Sequence, residues 1–249
     1  MIIRVATLNS EQDHKCWKQR RELIVQQLGD VRPDLWALNE VHIPTQTGRW
    51  LQRKAIERLN SKYVLVQQSK AGPESCSDGE ALLTRYSPIE TANLDYQSHN
   101  CVALVARCEI EGRLIDVYVT HLIAARVPDS ARQYQVSQLV QWIRQRNDAD
   151  HTIVCGDFNA APDQPSIRLM LEAFRPTQLQ PTAFTPLREP GGEPTHSDWP
   201  RFDRCIDYIW VSQSLKVAAS GLCFNKPAPE NPDLWPSDHV GVWADLELT

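Results

Sequence analysis

Polar residues suited to metal binding and proton transfer stand at the ends of short apolar runs at six places in this sequence. Carboxylates and amide oxygens are hard ligands of the kind that Mg²⁺ and Mn²⁺ prefer, and imidazole exchanges protons near neutral pH. A single polar residue at a strand end is usually just solvated, but six cases together favour a shared site. The residues are Asn9, Asn39 with Glu40, His121, Asp157 with Asn159, Asp207, and Asp238 with His239.

These groups match the needs of a reaction in which water attacks phosphorus. Such a reaction uses a base for the water, a metal or hydrogen-bond donors for the developing charge, and help for the leaving oxygen. Mg²⁺ held by one or two carboxylates is typical of sites that bind substrate phosphates. The set contains no cysteine, which favours Mg²⁺ or Mn²⁺ over zinc.

The segment from Cys155 to Pro162, CGDFNAAP, has two interpretations. Side chains alternate along a strand, so Asp157 and Asn159, two residues apart, would point to the same side and form part of a site. Gly, Asp, Asn and Pro are also turn formers. A plain turn is therefore an equal alternative for this segment taken alone.

The elements that must position these residues are strands mixed with single helices. We predict that the first helix ends at Gly29 and that the Pro-, Gly- and Thr-rich stretch 176–204 is irregular. The mixture indicates an α+β fold in which helices cover packed sheets, and with no linker or repeat we predict one domain over 1–249. Strands are predicted at 1–8, 34–38, 63–66, 79–85, 101–110, 114–120, 151–155, 206–211, 215–224 and 240–248, and helices at 14–28, 49–59, 131–146 and 167–174.

The bulk composition is that of an ordinary globular protein. The chain has 249 residues, is 42% hydrophobic and 23% charged, and carries a net charge of −5, so it lacks the basic balance of many nucleic-acid binders.

The cysteines bear on the location of the protein. The seven cysteines form no C-x-x-C pair, which favours a reducing compartment, and we predict a cytoplasmic location. Without a signal-peptide pattern or a long apolar run, we expect no membrane insertion. The sequence indicates no protein partner.

Seven segments occur in an order that resembles the endonuclease/exonuclease/phosphatase superfamily over nearly the whole chain. This resemblance implies a four-layered α/β sandwich, with two central, mainly antiparallel sheets flanked by helices. It also implies a hydrolase that cleaves a phosphodiester or phosphomonoester with a divalent metal. The segments are ATLNS, ALNEV, GEALLTRYSP, VTHL, GDFNAAP, IDYIWVS and WPSDHVGV.

The same resemblance implies where the metal and the substrate bind. Glu40 would be the main ligand of Mg²⁺, or of Mn²⁺ as its substitute, with Asn9 beside it and Asp238 close by. Asn9 would also face the substrate. We predict that Arg126 meets a substrate phosphate, since arginine pairs well with phosphate, although a solvated surface arginine is an equal alternative. Arg132 and Arg204 carry the same two alternatives.

The catalytic roles follow from the resemblance as well. Asp157 would orient or deprotonate the attacking water, and Asn159 would hold a phosphate oxygen. His239 would contact the phosphate or act as a base, oriented by Asp207. His121 would bind the phosphate and serve as the general acid.

At three positions the sequence departs from the family pattern or leaves a choice open. Asn39 stands where Gln commonly precedes the metal-binding Glu, and we expect little effect. Asp203 is an alternative to Asp207 as the acid that orients the histidine. His42 is a candidate for the pocket lining, although a solvated loop histidine is the favoured interpretation.

The sequence therefore predicts a Mg²⁺-dependent phosphoesterase, with a phosphate-ester substrate as its partner. The acidic balance favours a small or single-stranded substrate over duplex DNA. Two alternatives stay open: a nuclease acting on single-stranded DNA or RNA, and a catalytically silent binding module on the same fold. A serine hydrolase is disfavoured because no G-x-S-x-G motif is present.

Overall fold

Two six-stranded sheets run through the middle of the protein in a computed structural model that describes residues 1–12, 14–72, 77–182 and 204–248. Four helices accompany them in these ranges: α1 (Trp17–Val31), α2 (Thr47–Leu59), α3 (Asp129–Gln145) and α4 (Pro165–Leu171). The strands are β1 (Ile2–Asn9), β2 (Leu35–His42), β3 (Val64–Ser69), β4 (Asp78–Thr84), β5 (Pro88–Asp95), β6 (Val102–Ile110), β7 (Arg113–His121), β8 (His151–Asp157), β9 (Arg175–Pro176), β10 (Asp207–Val211), β11 (Lys216–Cys223) and β12 (Gly241–Glu247).

Each sheet contains one parallel pair of strands among antiparallel neighbours. The first sheet has the order β11-β12-β1-β2-β4-β3, and the second has the order β5-β6-β7-β8-β10-β9. The parallel pairs are β1 with β2 and β7 with β8. Because a parallel pair needs a long crossover, α1 and α3 lie in these two connections. The carboxyl ends of all four strands therefore meet at one edge of the sandwich.

Three apolar clusters separate four layers. The central cluster packs one sheet against the other and includes Val5, Ala37, Val117 and Ile153. A second cluster lies under α1 and α2 on the first sheet, and a third lies under α3 and α4 on the second. The predicted four-layered α/β sandwich with two mainly antiparallel central sheets is confirmed, whereas the single domain over 1–249 stays a prediction.

The first helix does not end at Gly29, as we had predicted. It begins at Trp17 and runs through Gly29 to Val31, and the left-handed residue Arg32, with φ +47°, ends it. Gly29 lies where α1 meets α2, since a Cβ there would stand 3.2 Å from the Leu59 Cδ2 atom. This glycine therefore allows a close helix contact instead of providing a stop signal.

Two strands were missed, and three helices, α2, α3 and α4, each begin two residues earlier than predicted. Strand β5 is an edge strand whose residues are exposed or half-buried, so it has no apolar alternation to detect; its proline opens the strand, where one is tolerated. Strand β9 is only two residues long. Helix α4 begins at Pro165, a favoured residue for a first turn. Much of the stretch predicted to be irregular, residues 183–203, lies outside the described residues.

Gly156 marks the closest approach of backbones beside the predicted site. Its φ of +138° suits glycine alone, and a Cβ would lie 1.9 Å from the Thr120 carbonyl oxygen and 3.1 Å from Asn39 Oδ1. Thr120 belongs to the neighbouring strand and Asn39 to the other sheet. Any larger residue at this position would push these strand ends apart.

We expect Gly156→Ala to lower the free energy of unfolding by on the order of 3–5 kcal/mol, because both the backbone and the Thr120 carbonyl must move. Gly112→Ala is the matched control: its φ is +72° with nothing within 4 Å, so only the left-handed backbone cost of roughly 1–2 kcal/mol applies. Urea unfolding of both variants measures the difference. Equal losses would contradict the close approach.

Candidate active site

The site is the polar end of the core between the two sheets. Along each contributing strand, every second residue faces the central cluster, and the row ends in a buried polar residue at one edge. The apolar core thus gives way to a group of polar side chains contributed by both sheets. These row ends are Asn9 on β1, Asn39 on β2, His121 on β7, Asp157 on β8 and Asp207 on β10.

Glu40 reaches the same place by a different route. Strict alternation after Asn39 would turn it to the helix-covered face of the sheet, but the pairing of β2 with β4 shifts register between Leu38 and Val41. Such bulges re-aim side chains. Glu40 adopts a left-handed φ of +54° and lines the pocket with 23% of its side chain exposed. A non-glycine residue with this φ costs about 1–3 kcal/mol.

Asp157 lies at the centre of the site. Its Oδ2 atom is 3.2 Å from Asn9 Nδ2, 3.4 Å from His121 Nε2 and 3.8 Å from His239 Nε2. Burial and the nearby Asp207 carboxylate raise the pKa of Asp157 to about 7. A carboxylate with this pKa can accept a proton near neutral pH.

The segment GDFNAAP forms a turn, and this turn, not strand alternation, brings Asn159 beside Asp157 and His121. Strand β8 ends at Asp157, and Asn159 has a left-handed φ of +49°, so strand alternation does not place it. Its backbone N–H donates to Asp157 Oδ1 at 2.8 Å, which forms a turn. Its side-chain Nδ2 donates to His121 Nε2 and to the Leu122 carbonyl oxygen, each at 3.0 Å. The turn itself carries Asn159 into the site.

His239 is held as a cation by two acids. Its Nδ1 donates to Asp207 Oδ2 at 2.9 Å. Burial opposes the charge, but Asp207 and Asp157 outweigh it and raise the pKa of His239 well above its usual value. Asp207 thus occupies the position expected of the orienting acid, while its alternative, Asp203, lies outside the described residues.

His121 is held neutral. Because its Nε2 accepts from Asn159, the ring proton belongs on Nδ1, a buried atom without a hydrogen-bond partner in the described part of the chain. This Nδ1 lies 4.0 Å from Glu40 Oε1. Burial, Lys70 and His239 lower the pKa of His121 well below its usual value. The two histidines therefore differ in charge at neutral pH.

Three carboxylates around the pocket, those of Glu11, Glu40 and Asp238, fit a hard divalent cation. Burial and Asp238 raise the pKa of Glu40, and the same two causes raise the pKa of Glu11 to about 7. All three acids line one pocket of about 540 Å³. A cation among them would relieve this mutual repulsion, and their oxygens are the donors that Mg²⁺ or Mn²⁺ takes.

A second group of potential ligands fits a metal less well. Asp157, Asp207 and His239 bring one ligand atom each within 4.8 Å of one another. The His239 ring is already bonded to Asp207 as a charged donor, and an imidazolium has no lone pair to offer. We therefore assign this group to proton and phosphate chemistry.

The sequence analysis missed a polar network that includes two pocket-lining residues, Lys70 and Asp78, and the fully buried Glu80. Lys70 binds Asp78 with 2.5 Å between Nζ and Oδ2, and the Asn39 amide donates to Glu80. Burial raises the pKa of Glu80 to about 8, although Lys70 opposes the shift. The signal for Glu80 was an acid inside an otherwise apolar strand, GEALL; Lys70 carried no comparable signal.

The remaining candidates lie in different settings. Arg126 is exposed on the wall of the pocket. Arg132 is buried and donates to backbone carbonyls, so it is not placed to meet a phosphate. His42 contacts Thr45. Arg204 and His42 are both outside the residues that line this pocket.

Comparison with known proteins identifies the family of this chain. A model of the Endonuclease/Exonuclease/phosphatase family matches residues 6–239. The chain belongs to this family. Nocturnin of Rattus norvegicus is 25% identical over 258 residues, which cover 93% of this chain and 59% of that protein. The chain thus spans about three fifths of the length of this relative.

Solved structures share the fold. The human Nocturnin catalytic domain with a bound sulfate anion has a TM-score of 0.76 and 24% identity, covering 100% of this chain and 94% of that one. An endonuclease/exonuclease/phosphatase from Bacteroides vulgatus has a TM-score of 0.78 and 18% identity, with 100% of both chains covered. The predicted membership of a phosphoesterase family is confirmed.

We expect Glu80→Gln to change how stability depends on pH. The folded pKa of about 8 lies above that of an unfolded glutamate, so the wild-type carboxyl stabilises the fold at low pH and this contribution is lost as pH rises toward 8. Between pH 5 and 9 the wild type should lose more unfolding free energy than Glu80→Gln, by on the order of a few kcal/mol. Denaturant titrations at several pH values test this, with exposed Glu109→Gln as the control; parallel curves for all three proteins would refute it.

Proposed function

We propose that this protein is a divalent-metal-dependent hydrolase of phosphate esters, in which water attacks phosphorus. The observation that carries the proposal is the position of Asp157, whose Oδ2 contacts Asn9 and both histidines beside the acidic pocket. A relative in this family, the human Nocturnin catalytic domain, takes up a sulfate anion. Sulfate has the tetrahedral shape and charge of a phosphate group.

Glu40 and Asp238 would hold the metal, with Asn9 beside them. In the structure Asn9 Oδ1 accepts the Glu11 N–H at 3.0 Å, and its Nδ2 donates to Glu40 Oε1 at 3.2 Å, so it also orients the main ligand. When bound, Mg²⁺ or Mn²⁺ would polarise a phosphoryl oxygen and offset its charge.

Asp157 is the base in this proposal. Its pKa of about 7 suits removal of a proton from water near neutral pH. Asn9 donates to the same carboxylate oxygen that accepts this proton, which fixes the orientation of the group. Asn159 fixes the second oxygen through its backbone N–H.

The two histidines act as donors to the phosphate. His239, charged and oriented by Asp207, would donate through its Nε2–H, which lies beside Asp157, and neutral His121 would donate through its Nδ1–H, which is buried beside Glu40. Both hydrogens of the Asn159 side-chain nitrogen are taken by His121 and Leu122. Asn159 therefore orients His121, a role these contacts favour over the direct phosphate contact expected from the sequence.

General acid catalysis by His121 is not favoured by these surroundings. A group whose pKa lies well below its usual value is unprotonated at neutral pH and has no readily lost proton. Its remaining role is to stabilise charge in the transition state with Nδ1–H. The leaving oxygen would then draw its proton from solvent or from another group.

A small phosphate ester is the preferred substrate class. The pocket holds about 540 Å³, and its described lining contains no Phe, Tyr or Trp, whereas single-stranded nucleic acids are commonly bound by stacking on such rings. The nuclease alternative stays a prediction. We also propose the cytoplasmic location: none of the described cysteines forms a disulfide, and within the described residues no helix is long and apolar enough to cross a bilayer.

We expect Glu40→Gln to bind Mg²⁺ and Mn²⁺ far more weakly and to lose activity by about 10²-fold or more, because a hard anionic ligand is removed. Titration calorimetry measures the binding. Hydrolysis of p-nitrophenyl phosphate, bis-p-nitrophenyl phosphate and labelled DNA and RNA oligonucleotides measures the activity and identifies the substrate class. Glu109→Gln is the control. Full activity in excess chelator would rule out the metal mechanism.

We expect His121→Ala to lower kcat by about 10²–10³-fold, and by the same factor on bis-p-nitrophenyl phosphate as on an alkyl phosphodiester. A transition-state donor matters equally for both leaving groups, whereas a general acid matters less for p-nitrophenolate. A much larger loss on the alkyl ester would restore the general-acid role. The kcat of His239→Ala on the same two substrates measures the contribution of the other proposed donor, His239.

A further inference from the structure

The two βαβ units build opposite walls of the pocket in the same way. In each unit the first strand, β1 or β7, delivers a site residue and is followed by a loop that leads into the crossover helix. These loops span residues 10–16 and 122–128. Their pocket-lining residues are Glu11, Gln12, His14 and Lys15 on one side, and Leu122 to Arg126 on the other.

Arg132 holds the second of these loops from behind. It is the fourth residue of α3 and is 1% exposed. Its Nη1 atom donates to the carbonyl oxygens of Ile123, Ala124 and Val127 at 3.3, 3.1 and 3.0 Å. Its Nε donates to Asp129 Oδ1 at 3.2 Å, which fixes the guanidinium plane.

Arg20 holds the first loop from the corresponding position. It is the fourth residue of α1 and fully buried. Its guanidinium donates to five backbone carbonyls, four in its own loop and one just before Asp238. The acceptors are Ser10, Glu11, His14, Lys15 and Pro236, at 3.0, 3.1, 2.6, 2.7 and 3.0 Å.

These carbonyls lie outside any helix or sheet, so they depend on donors other than a regular backbone ladder. A guanidinium offers five N–H groups in a rigid plane, and a lysine ammonium offers a single compact charge. Gln135, also in α3 and fully buried, completes the second wall: its Oε1 accepts the Ile123 N–H at 3.0 Å, and its Nε2 donates to the Ser98 carbonyl at 3.1 Å.

We propose that Arg132 is a positioning residue that sets the shape of the substrate-binding wall at residues 122–126, as Arg20 does for the wall next to Asp238. The proposal rests on the proposed function for what the pocket binds, but not for the loop geometry. Arg132 does not line the pocket, and the strands that deliver His121 and Asp157 are paired independently of it. Its loss should therefore disturb substrate binding more than chemistry.

The test compares Arg132→Lys, which keeps the charge but loses the planar fork, with Arg144→Lys, an exposed change in the same helix. We expect Arg132→Lys to raise KM for p-nitrophenyl phosphate or its diester about tenfold with kcat within about twofold. We also expect faster amide hydrogen exchange at residues 123–127, with β7 and β8 unchanged. Arg144→Lys should match the wild type in all three measurements.

A fall in kcat at unchanged KM, or unchanged exchange at residues 123–127, would overturn the proposal. If Arg132→Lys does not fold, Gln135→Met replaces it, with the same expectations at Ile123. Absence of any phosphate-ester hydrolysis by the wild type would count against the proposed function alone, because the exchange measurement tests the loop without a substrate.

Discussion

The site depends on the hydrogen bonds of the Asn39 side chain, because they join the end of one sheet to the end of the other. Its Oδ1 accepts the backbone N–H of Asp157, and its Nδ2 donates to the Thr120 carbonyl, each at 3.0 Å. Thr120 precedes His121, and Asn39 itself precedes Glu40. One fully buried amide thus sets the spacing of three strand ends that carry the proposed chemistry. Gly156 makes this possible by leaving room for the carbonyl and the amide. The expectation that Asn in place of Gln at position 39 has little effect stays a prediction, and the structure adds that the residue at this position ties the two sheets together.

The site also brings several negative charges close together, and the rest of the fold must offset the loss of stability that this causes. Several acids lie close together at a buried edge, where burial and neighbouring carboxylates raise their pKa values, and two residues, Glu40 and Asn159, keep a left-handed backbone. Perturbed acids and strained backbone are typical of functional sites. Two cations offset part of this negative charge: the buried Arg20 lies next to Glu11, and the half-buried Lys70 pairs with Asp78. The three apolar clusters supply the stability that makes this arrangement tolerable.

Much of the site was predictable because strands alternate with a fixed period. Apolar rows such as Val117–Val119 and Ile153–Cys155 lead directly to His121 and Asp157, so a polar residue at the end of an inward row already indicated a shared edge.

The predictions that failed concern features that mostly depend on contacts between residues distant in sequence. Gly29 looked like a stop because the sequence does not show that Leu59 packs against it. Arg132 was expected to be either a phosphate ligand or a solvated surface arginine, and it is neither, because it is buried and its acceptors are backbone carbonyls, which residue types do not reveal. Strand β5 lacked a pattern because an exposed edge strand needs none.

The sequence shows no internal repeat, yet the structure repeats one arrangement: strand, polar strand end, loop, buried arginine in the first turns of the crossover helix, parallel strand. The repeat follows from physical need. A loop that leaves a strand to line a pocket turns its carbonyls inward, toward the crossover helix that packs behind it. The fourth residue of that helix lies close to those carbonyls, and arginine can satisfy several of them at once. Reacting groups are thus fixed by the sheets, while the walls are fixed by the helices. The loop backbones are also bonded to the strand ends, since the Leu122 N–H donates to the Asp157 carbonyl and the Gln12 N–H donates to the Glu40 carbonyl. Changes that leave these backbone bonds intact, such as substitution of the exposed Arg126 side chain, are therefore the ones we expect to alter substrate choice without moving the strand ends.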